Sequence, residues 1–468
     1  MKKIVLTLTA AMVFVWQGTS FASSSVDALI QKLEDKGILT QQEASQVKGE
    51  VASEEKTSQE ASFKSLLPDW LNTMKMSGDF RLRDQVERRN IPGTVSSEFT
   101  KGHLLRNRGR IRARLNIEDQ VNDKLKVIFG IATNGENSAG AGNPRSNNVT
   151  FGGNATTENA FNKPTAVINK AYAVYTPASW ATLIGGKMDN PIWEPASLLW
   201  DPNITPEGGN VQLQKKLNDY VTPFVSQSFF VLADNTPTSL STGFKTDPYM
   251  SVTQGGIKGN LTEKVYYKTA LSYYGVSNPN HIQLSNRPSA SGASGTNNTN
   301  SMTDPTHGLY TYNYYLLGGA VELGMNDPFG ELLPSPLYVP QIGVFGQYFQ
   351  NQDPSTQNAA WQMGAYMGSS ALNGFGTWKI QSYYKVLERD SWLDTFPDQD
   401  FYSGATDTAG WRTELDIGLA KNAWLTLSYY RTHVFKAIPN LINGATNDAA
   451  YSGTAPEDLV QIDLNMKF

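Results

Sequence analysis

The stretch that decides the fold is Arg106-Asn107-Arg108-Gly109-Arg110-Ile111-Arg112-Ala113-Arg114-Leu115-Asn116-Ile117. Its even-numbered residues from 106 to 114 are all arginine, and its odd-numbered residues from 111 to 117 are all apolar. Because side chains alternate sides along a strand, the five arginines form one row. A protein core cannot bury such a row without partners. The stretch therefore predicts a strand with one apolar face and one charged face that meets water.

The same period of two residues recurs along most of the chain. Alternation is clear over residues 73–87, 125–131 and 460–468. Weaker alternation predicts twelve more strands, at residues 167–177, 181–189, 208–217, 220–233, 249–260, 264–275, 308–323, 337–349, 359–369, 376–388, 410–420 and 423–435. Short turns join some of these strands, and long polar segments join others. We therefore expect about sixteen antiparallel strands with tight turns at one end and long loops at the other.

The charged and apolar faces together favour a membrane barrel over a soluble β protein. In an outer-membrane barrel, the polar face lines water, the apolar face meets lipid, and closure leaves no free sheet edge. The sequence therefore predicts an all-β fold, a transmembrane antiparallel β-barrel over residues 73–468, located in the bacterial outer membrane. A secreted soluble sandwich or β-helix is the alternative, because alternation is a weak signal in any single strand.

The residues before the barrel follow different patterns. Two lysines, a short apolar run and a cleavage site after Ala22 predict a signal peptide over residues 1–22. Apolar residues at helical spacing, beginning at Val26, predict a short α-helical periplasmic segment and linker over residues 23–72. This segment is either a coiled coil or tether, or a loose helical hairpin that has no partner.

Composition excludes several classes of function. The chain has no cysteine, so it forms no disulfide, no thiolate metal site and no covalent bond to c-type haem. Its formal net charge of −4 does not favour nucleic acid as a partner. The four histidines lack metal-ligand spacing, and no G-x-S-x-G nucleophile motif occurs. We therefore expect no enzyme activity, no metal site and no cofactor.

The arginine row is the strongest functional signal. In a barrel, the strands at 73–87 and 106–117 are neighbours whose charged faces form one side of the lumen. The predicted pore-lining basic residues are Arg81, Arg83, Arg106, Arg108, Arg110, Arg112, Arg114, Lys124 and Lys126. Arginine stays charged at any working pH, so these residues favour anions over cations. Alternatively, acidic residues of an inward-folded loop and of the strands neutralise them, and the strand candidates are Asp79, Glu118 and Asp119.

Several short motifs resemble the "putative porin" family of Gram-negative bacteria. They are Val26-Asp27-Ala28-Leu29-Ile30, Lys36-Gly37-Ile38-Leu39-Thr40, Glu43-Ala44, Met76-Ser77-Gly78-Asp79-Phe80-Arg81-Leu82-Arg83, Arg108-Gly109-Arg110-Ile111-Arg112-Ala113-Arg114-Leu115, Leu199-Trp200-Asp201-Pro202, Pro206-Glu207-Gly208 and the terminal Phe468. The resemblance implies a barrel in outer-membrane lipid, often a homotrimer. It also implies that Phe468 is the assembly signal that the barrel-assembly machinery recognises.

The same resemblance implies that the loop near residues 190–207 folds into the lumen, where Glu194, Asp201 and Glu207 would face the basic residues. The leading hypothesis is a porin that allows passive diffusion of small hydrophilic solutes with a preference for anions. The alternative is a scaffold that sheathes a multihaem cytochrome, as some relatives are thought to do. In that case the haem belongs to the partner. A third hypothesis is a tether that uses the N-terminal helices and the long loops.

Overall fold

The computed structural model describes residues 73–90, 103–133, 143–153, 161, 163–234, 247–282, 299–304, 309–330, 338–436 and 456–468. The predicted signal peptide and the predicted helical segment at 23–72 lie outside these residues, so both stay predictions. Within the described part of the chain, no helix has the length and apolar character needed to cross a membrane.

Sixteen strands form the barrel, the number that the alternation predicts. They are β1 (Lys75–Asn90), β2 (His103–Asn122), β3 (Leu125–Thr133), β4 (Ala166–Ala178), β5 (Ala181–Lys187), β6 (Glu207–Gln214), β7 (Thr222–Val231), β8 (Tyr249–Asn260), β9 (Val265–Ser277), β10 (Tyr314–Asn326), β11 (Gln341–Asn351), β12 (Ala359–Gly368), β13 (Trp378–Leu387), β14 (Thr408–Ala420), β15 (Ala423–Val434) and β16 (Glu457–Lys467). The two-residue strand Val149–Thr150 adds beside β2, and Met302–Asp304 forms a small hairpin with Leu309–Tyr310.

The sheet closes on itself. Each strand pairs antiparallel with the next strand in the chain, and β1 pairs antiparallel with β16. At this seam Arg83 lies opposite Asp463, and Phe80 lies opposite Met466. Closure leaves no free edge whose backbone groups would lack partners in lipid. The predicted antiparallel barrel is therefore confirmed.

The two faces of the wall have the opposite polarity from those of a soluble protein. Outward side chains such as Phe129 and Ile462 are apolar, and more than 40% of their surface is exposed. Inward side chains such as Gln461 and Asp463 are polar, and at most 3% of their surface is exposed. An apolar outer surface requires lipid around it, and a polar interior can line water. This arrangement excludes the soluble sandwich and the β-helix.

The two ends of the barrel differ as predicted, with some exceptions. Two-residue turns at 123–124, 179–180 and 421–422 join strands at one end, here called the short-turn end. Long loops lie at the opposite, long-loop end. The turns at 327–340 and 369–377 are longer than expected for their end.

The largest apolar core lies inside the barrel. It forms where two loops of the long-loop end, 188–206 and 388–407, fold into the lumen and meet the inner faces of β7–β13. The Trp200 ring lies 6.1 Å from the ring of Trp392 and 5.0 Å from that of Phe396, and Trp392 also contacts Tyr274. Packed side chains therefore occupy the β7–β13 side of the lumen, and the polar surface lies on the β16–β4 side.

Candidate functional site: the basic wall of the lumen

Seven arginines share one inner face of β1 and β2. We call them the basic wall, and they are Arg81, Arg83, Arg106, Arg108, Arg110, Arg112 and Arg114. The antiparallel register sets Arg81 opposite Arg112 and Arg83 opposite Arg110. Successive arginines of β2 are two residues apart, or about 6.7 Å at the usual rise of a strand, so the five of them extend over about 27 Å.

The two predicted lysines lie in different places. Lys126 faces inward on β3, and its Nζ is 3.3 Å from Glu118. Lys124 lies in the turn between β2 and β3, exposed at the short-turn end. The second strand continues five residues beyond its predicted end at Ile117, and Lys124 lies in the turn that follows it. Lys124 is therefore not on the face of a strand.

Three carboxylates on strands neutralise part of the basic wall. Asp79 accepts hydrogen bonds from Arg112 at 2.9 Å and from Arg114 at 2.7 Å. Asp463 accepts two from Arg83, at 2.7 and 2.8 Å. Glu87 lies 3.2 Å from Arg108.

A fourth carboxylate comes from the loop at 388–407. Asp400 Oδ2 lies 2.9 Å from Arg83 Nη1, and both side chains are largely buried. Burial alone would raise the pKa of Asp400, but the charges of Arg83 and Arg110 outweigh it and lower the pKa well below its usual value. Asp400 is therefore ionised and fixes its loop against the basic wall.

Two arginines keep binding capacity for a solute. Among the described residues, four carboxylates form the ion pairs given above with the seven guanidinium groups of the wall. Arg114 bonds Asp79 through Nε, and its terminal nitrogens have no hydrogen-bond partner among the residues that the structure describes. Arg106 forms no ion pair within the same residues. These two positions lie near opposite ends of the arginine row on β2.

The predicted constriction loop crosses the lumen. Side chains from the far side hold the backbone of residues 188–206. Gln254 of β8 both donates to and accepts from the backbone of Trp193 at 3.0 Å. Gln347 and Gln362 each donate to the Ala196 carbonyl at 2.8 Å. Lys385 of β13 donates to the Ser197 carbonyl at 3.1 Å. The loop is thus pinned to the wall opposite β2 to β4.

The three acidic residues that were predicted to face the basic wall lie in different surroundings. Glu194 and Asp201 are buried within the loop, and burial raises the pKa of each to about 8. Asp201 accepts hydrogen bonds from the backbone N–H groups of Gln399 and Asn203. Glu207 begins β6 and pairs with Lys187 at 2.8 Å, away from the basic wall.

A cavity of about 460 Å³ separates the loop from the wall. Arg114 and Lys170 line its strand side, and Glu194 and Asp201 line its loop side. Lys170 pairs with Asp189 at 2.5 Å. Where Glu194 and Asp201 hold their protons, Arg114 is the cation in this lining whose terminal nitrogens have no hydrogen-bond partner among the described residues. The described residues contain no cluster of side chains able to hold a metal ion.

Sequence reasoning missed the inward fold of the loop at 388–407. Its apolar residues Trp392, Leu393, Phe396 and Phe401 are buried and were the available signal. Arg145 was missed as well. Its buried guanidinium donates from Nη1 to the backbone carbonyls of Asp394, Pro397 and Gly404 at 3.2–3.3 Å, which ties the segment before β4 to this loop.

A closed barrel of sixteen strands, apolar outside and polar inside, with loops that narrow its lumen, defines a porin-type membrane barrel. The chain belongs to the family described as "putative porin", whose model matches residues 36–311 and 341–468. The predicted family is thereby confirmed.

Solved porin structures show more distant similarity. A mutant of the Rhodopseudomonas blastica porin is 12% identical with a TM-score of 0.39, covering 84% of this chain and all of that one. OprB of Pseudomonas putida is 8% identical with a TM-score of 0.47, covering 86% of this chain and 96% of that one. No curated protein sequence matches the chain.

Proposed function

We propose that the protein is an outer-membrane porin through which small hydrophilic solutes diffuse passively, and that its lumen prefers anions. The single observation that supports the preference is the row of seven arginines on one inner face of β1 and β2, of which Arg106 forms no ion pair within the described residues. Fixed positive charge along a narrow pore lowers the barrier for anions and raises it for cations.

The position of the inward loops supports a path beside this wall. Apolar side chains fill the β7–β13 side of the lumen, so water and solutes pass on the β16–β4 side. The cavity between Arg114 and the loop at 188–206 lies on this side. The mechanism is steric and electrostatic filtering, and it needs neither turnover nor an energy source.

The interior of the barrel disfavours the alternative of a cytochrome sheath. A folded haem protein would need the space that the loops at 188–206 and 388–407 occupy. Those loops are fixed by buried contacts such as the hydrogen bond from Trp392 Nε1 to the Leu199 carbonyl at 2.9 Å. Outer-membrane lipid, a homotrimer and the barrel-assembly machinery are the partners that a porin function implies.

The test is the conductance and reversal potential of the detergent-purified protein in planar bilayers under a salt gradient. We expect steady conductance and a reversal potential of the sign that anion preference gives. In the variant Arg106→Gln/Arg114→Gln, we expect the anion preference to fall about fivefold. An anion loses about 1 kcal/mol when one unit charge about 4 Å away is removed in water.

Arg431→Gln is the matched control, because it removes an arginine that faces outward on β15 and pairs with Asp458. Its reversal potential should equal that of the unaltered protein. Cation preference in the unaltered protein would contradict the proposed selectivity while keeping the channel. A correctly folded barrel without conductance would contradict the porin function itself.

A further inference from the structure

A second cavity, of about 620 Å³, lies at the short-turn end of the lumen. Inner faces of β13–β16 and β1 line it, and the turn residues 369–373 close one side. A volume of this size suits a small-molecule ligand. The cavity shares no lining residue with the one beside Arg114.

Two lysines in this cavity are available to an anion. Lys379 of β13 and Lys467 of β16 line it, and neither forms an ion pair within the described part of the chain. Lys467 Nζ lies 5.2 Å from the ring centre of Trp424. Arg81 also lines the cavity, but its Nη1 lies 3.6 Å from Asp463 and its Nη2 donates to Asn148 at 2.5 Å, so it adds positive charge without a free donor. Lys467 is therefore the cation on the β16 side of the cavity that a carboxylate can reach.

Neutral and acidic groups adjoin these cations, and two of the three carboxylates in the lining already have cationic partners, Glu414 with Arg412 and Asp463 with Arg83. Asn465 donates to Thr426 Oγ1 at 3.1 Å, and Thr426 donates to Asp416 at 2.5 Å. Carboxylate oxygens accept hydrogen bonds from hydroxyl groups, and amides both donate and accept them. These groups suit a solute with several hydroxyl groups. Each hydroxyl can form a hydrogen bond with one of them while the hydrogen bonds among Asn465, Thr426 and Asp416 remain.

An aromatic face completes the lining. Trp424 of β15 lies opposite Asn465 of β16 in register and faces the lumen. An indole ring offers a flat apolar surface against which the C–H face of a sugar ring can pack. Cations, hydroxyl partners and an aromatic surface thus meet in one cavity.

We propose that this cavity is a subsite for sugar acids, that is, for polyhydroxylated solutes that carry a carboxylate. The carboxylate binds Lys467, the ring lies on Trp424, and the hydroxyls meet Asn465 and its neighbours. This inference rests on the proposed porin function, because solutes reach the cavity through the lumen or from the periplasm. The charge of the lumen favours anions in general, and this cavity would favour sugar acids among them.

The test is calorimetric titration of the detergent-purified full-length barrel with D-glucuronate, D-glucose and acetate. We expect saturable binding of glucuronate, with glucose and acetate at least tenfold weaker, because each lacks one of the two recognised features. Lys467→Gln should weaken glucuronate binding about tenfold, the effect of one charge-assisted hydrogen bond. Lys421→Gln removes a lysine from the neighbouring turn, outside the cavity, and should leave binding unchanged.

Conductance measured on the same preparation separates this inference from the porin function. A conducting barrel that does not bind glucuronate would overturn the subsite and leave the porin function in place. Equal binding of glucose and glucuronate, or binding that Lys467→Gln does not change, would also overturn it. A barrel that binds glucuronate with the expected dependence on Lys467 but does not conduct would support the subsite and overturn the porin function.

Discussion

The carboxylate of Asp79 limits the anion preference of the pore, so its removal should increase that preference. Asp79 lies 2.9 Å from Arg112 Nη2 and 2.7 Å from Arg114 Nε. An anion held by the free terminal nitrogens of Arg114 would be about 7 Å from this carboxylate, where two like charges repel by about 0.6 kcal/mol in water. Asp79→Asn removes that repulsion and keeps the shape of the side chain.

The expected result is a rise of about threefold in anion permeability and a matching fall in cation permeability, since about 1.4 kcal/mol corresponds to tenfold. The assay is the reversal potential in planar bilayers. At 10 mM salt the screening length is about 30 Å, and at 1 M it is about 3 Å, so the effect should be present at low salt and absent at high salt.

Asp458→Asn is the control for this variant. Asp458 pairs with Arg431 on the outer face of the barrel, so the same charge is removed outside the lumen. The reasoning is refuted if Asp79→Asn leaves the reversal potential at low salt unchanged or shifts it towards cations, while the protein remains a folded barrel.

Three further predictions concern assembly, pH and the second inward loop. A Cβ atom on Gly78 would clash with the Phe468 ring, so Gly78→Val should reduce the amount of heat-resistant folded barrel seen on gels. Gly185→Val is the control and should leave that amount unchanged, because the space around Gly185 is open. Burial raises the pKa of Glu194 from 4.5 to about 8. Between these two pH values the folded loop keeps a proton on Glu194 that the unfolded chain releases, so the packing of the loop loses stability as the pH rises from 4.5 to about 8. Hydrogen exchange of that loop, corrected for intrinsic rates, should show this loss, and Glu194→Gln should abolish it. Asp400→Asn removes one partner of a buried ion pair, at a cost of about 3 kcal/mol, and should give larger and noisier single-channel currents. Currents equal to those of the unaltered protein would contradict the role of Asp400 in holding this loop.

The sequence predicts the barrel and the basic wall because both depend on local patterns. Alternation identifies each strand from its own residues, and a hairpin makes neighbours in sequence neighbours in the sheet. The arginines of β1 and β2 therefore meet as expected, with Arg81 opposite Arg112. Lys124 differs because strand ends are poorly fixed by alternation, and the turn begins only after Asn122.

The interior of the lumen could not be predicted in the same way. Asp400 and Arg83 are 317 positions apart, and no local pattern relates them. The two inward loops are also held by side chains from several distant strands, such as Gln347 and Lys385. Acidic residues of a loop can equally face solvent, pair with a wall or lie buried and neutral, as Glu194 shows, and only the packing decides among these outcomes.

The central claim is that anions pass between the basic wall and the loop at 188–206. Because the chain has no cysteine, a single Thr205→Cys substitution in the lining of that cavity gives a thiol without background. We predict that a negatively charged methanethiosulfonate reagent modifies it faster than a positively charged one of similar size, and that the modification reduces the current. Faster modification by the cationic reagent, or modification of the folded barrel that leaves the current unchanged, would contradict the account.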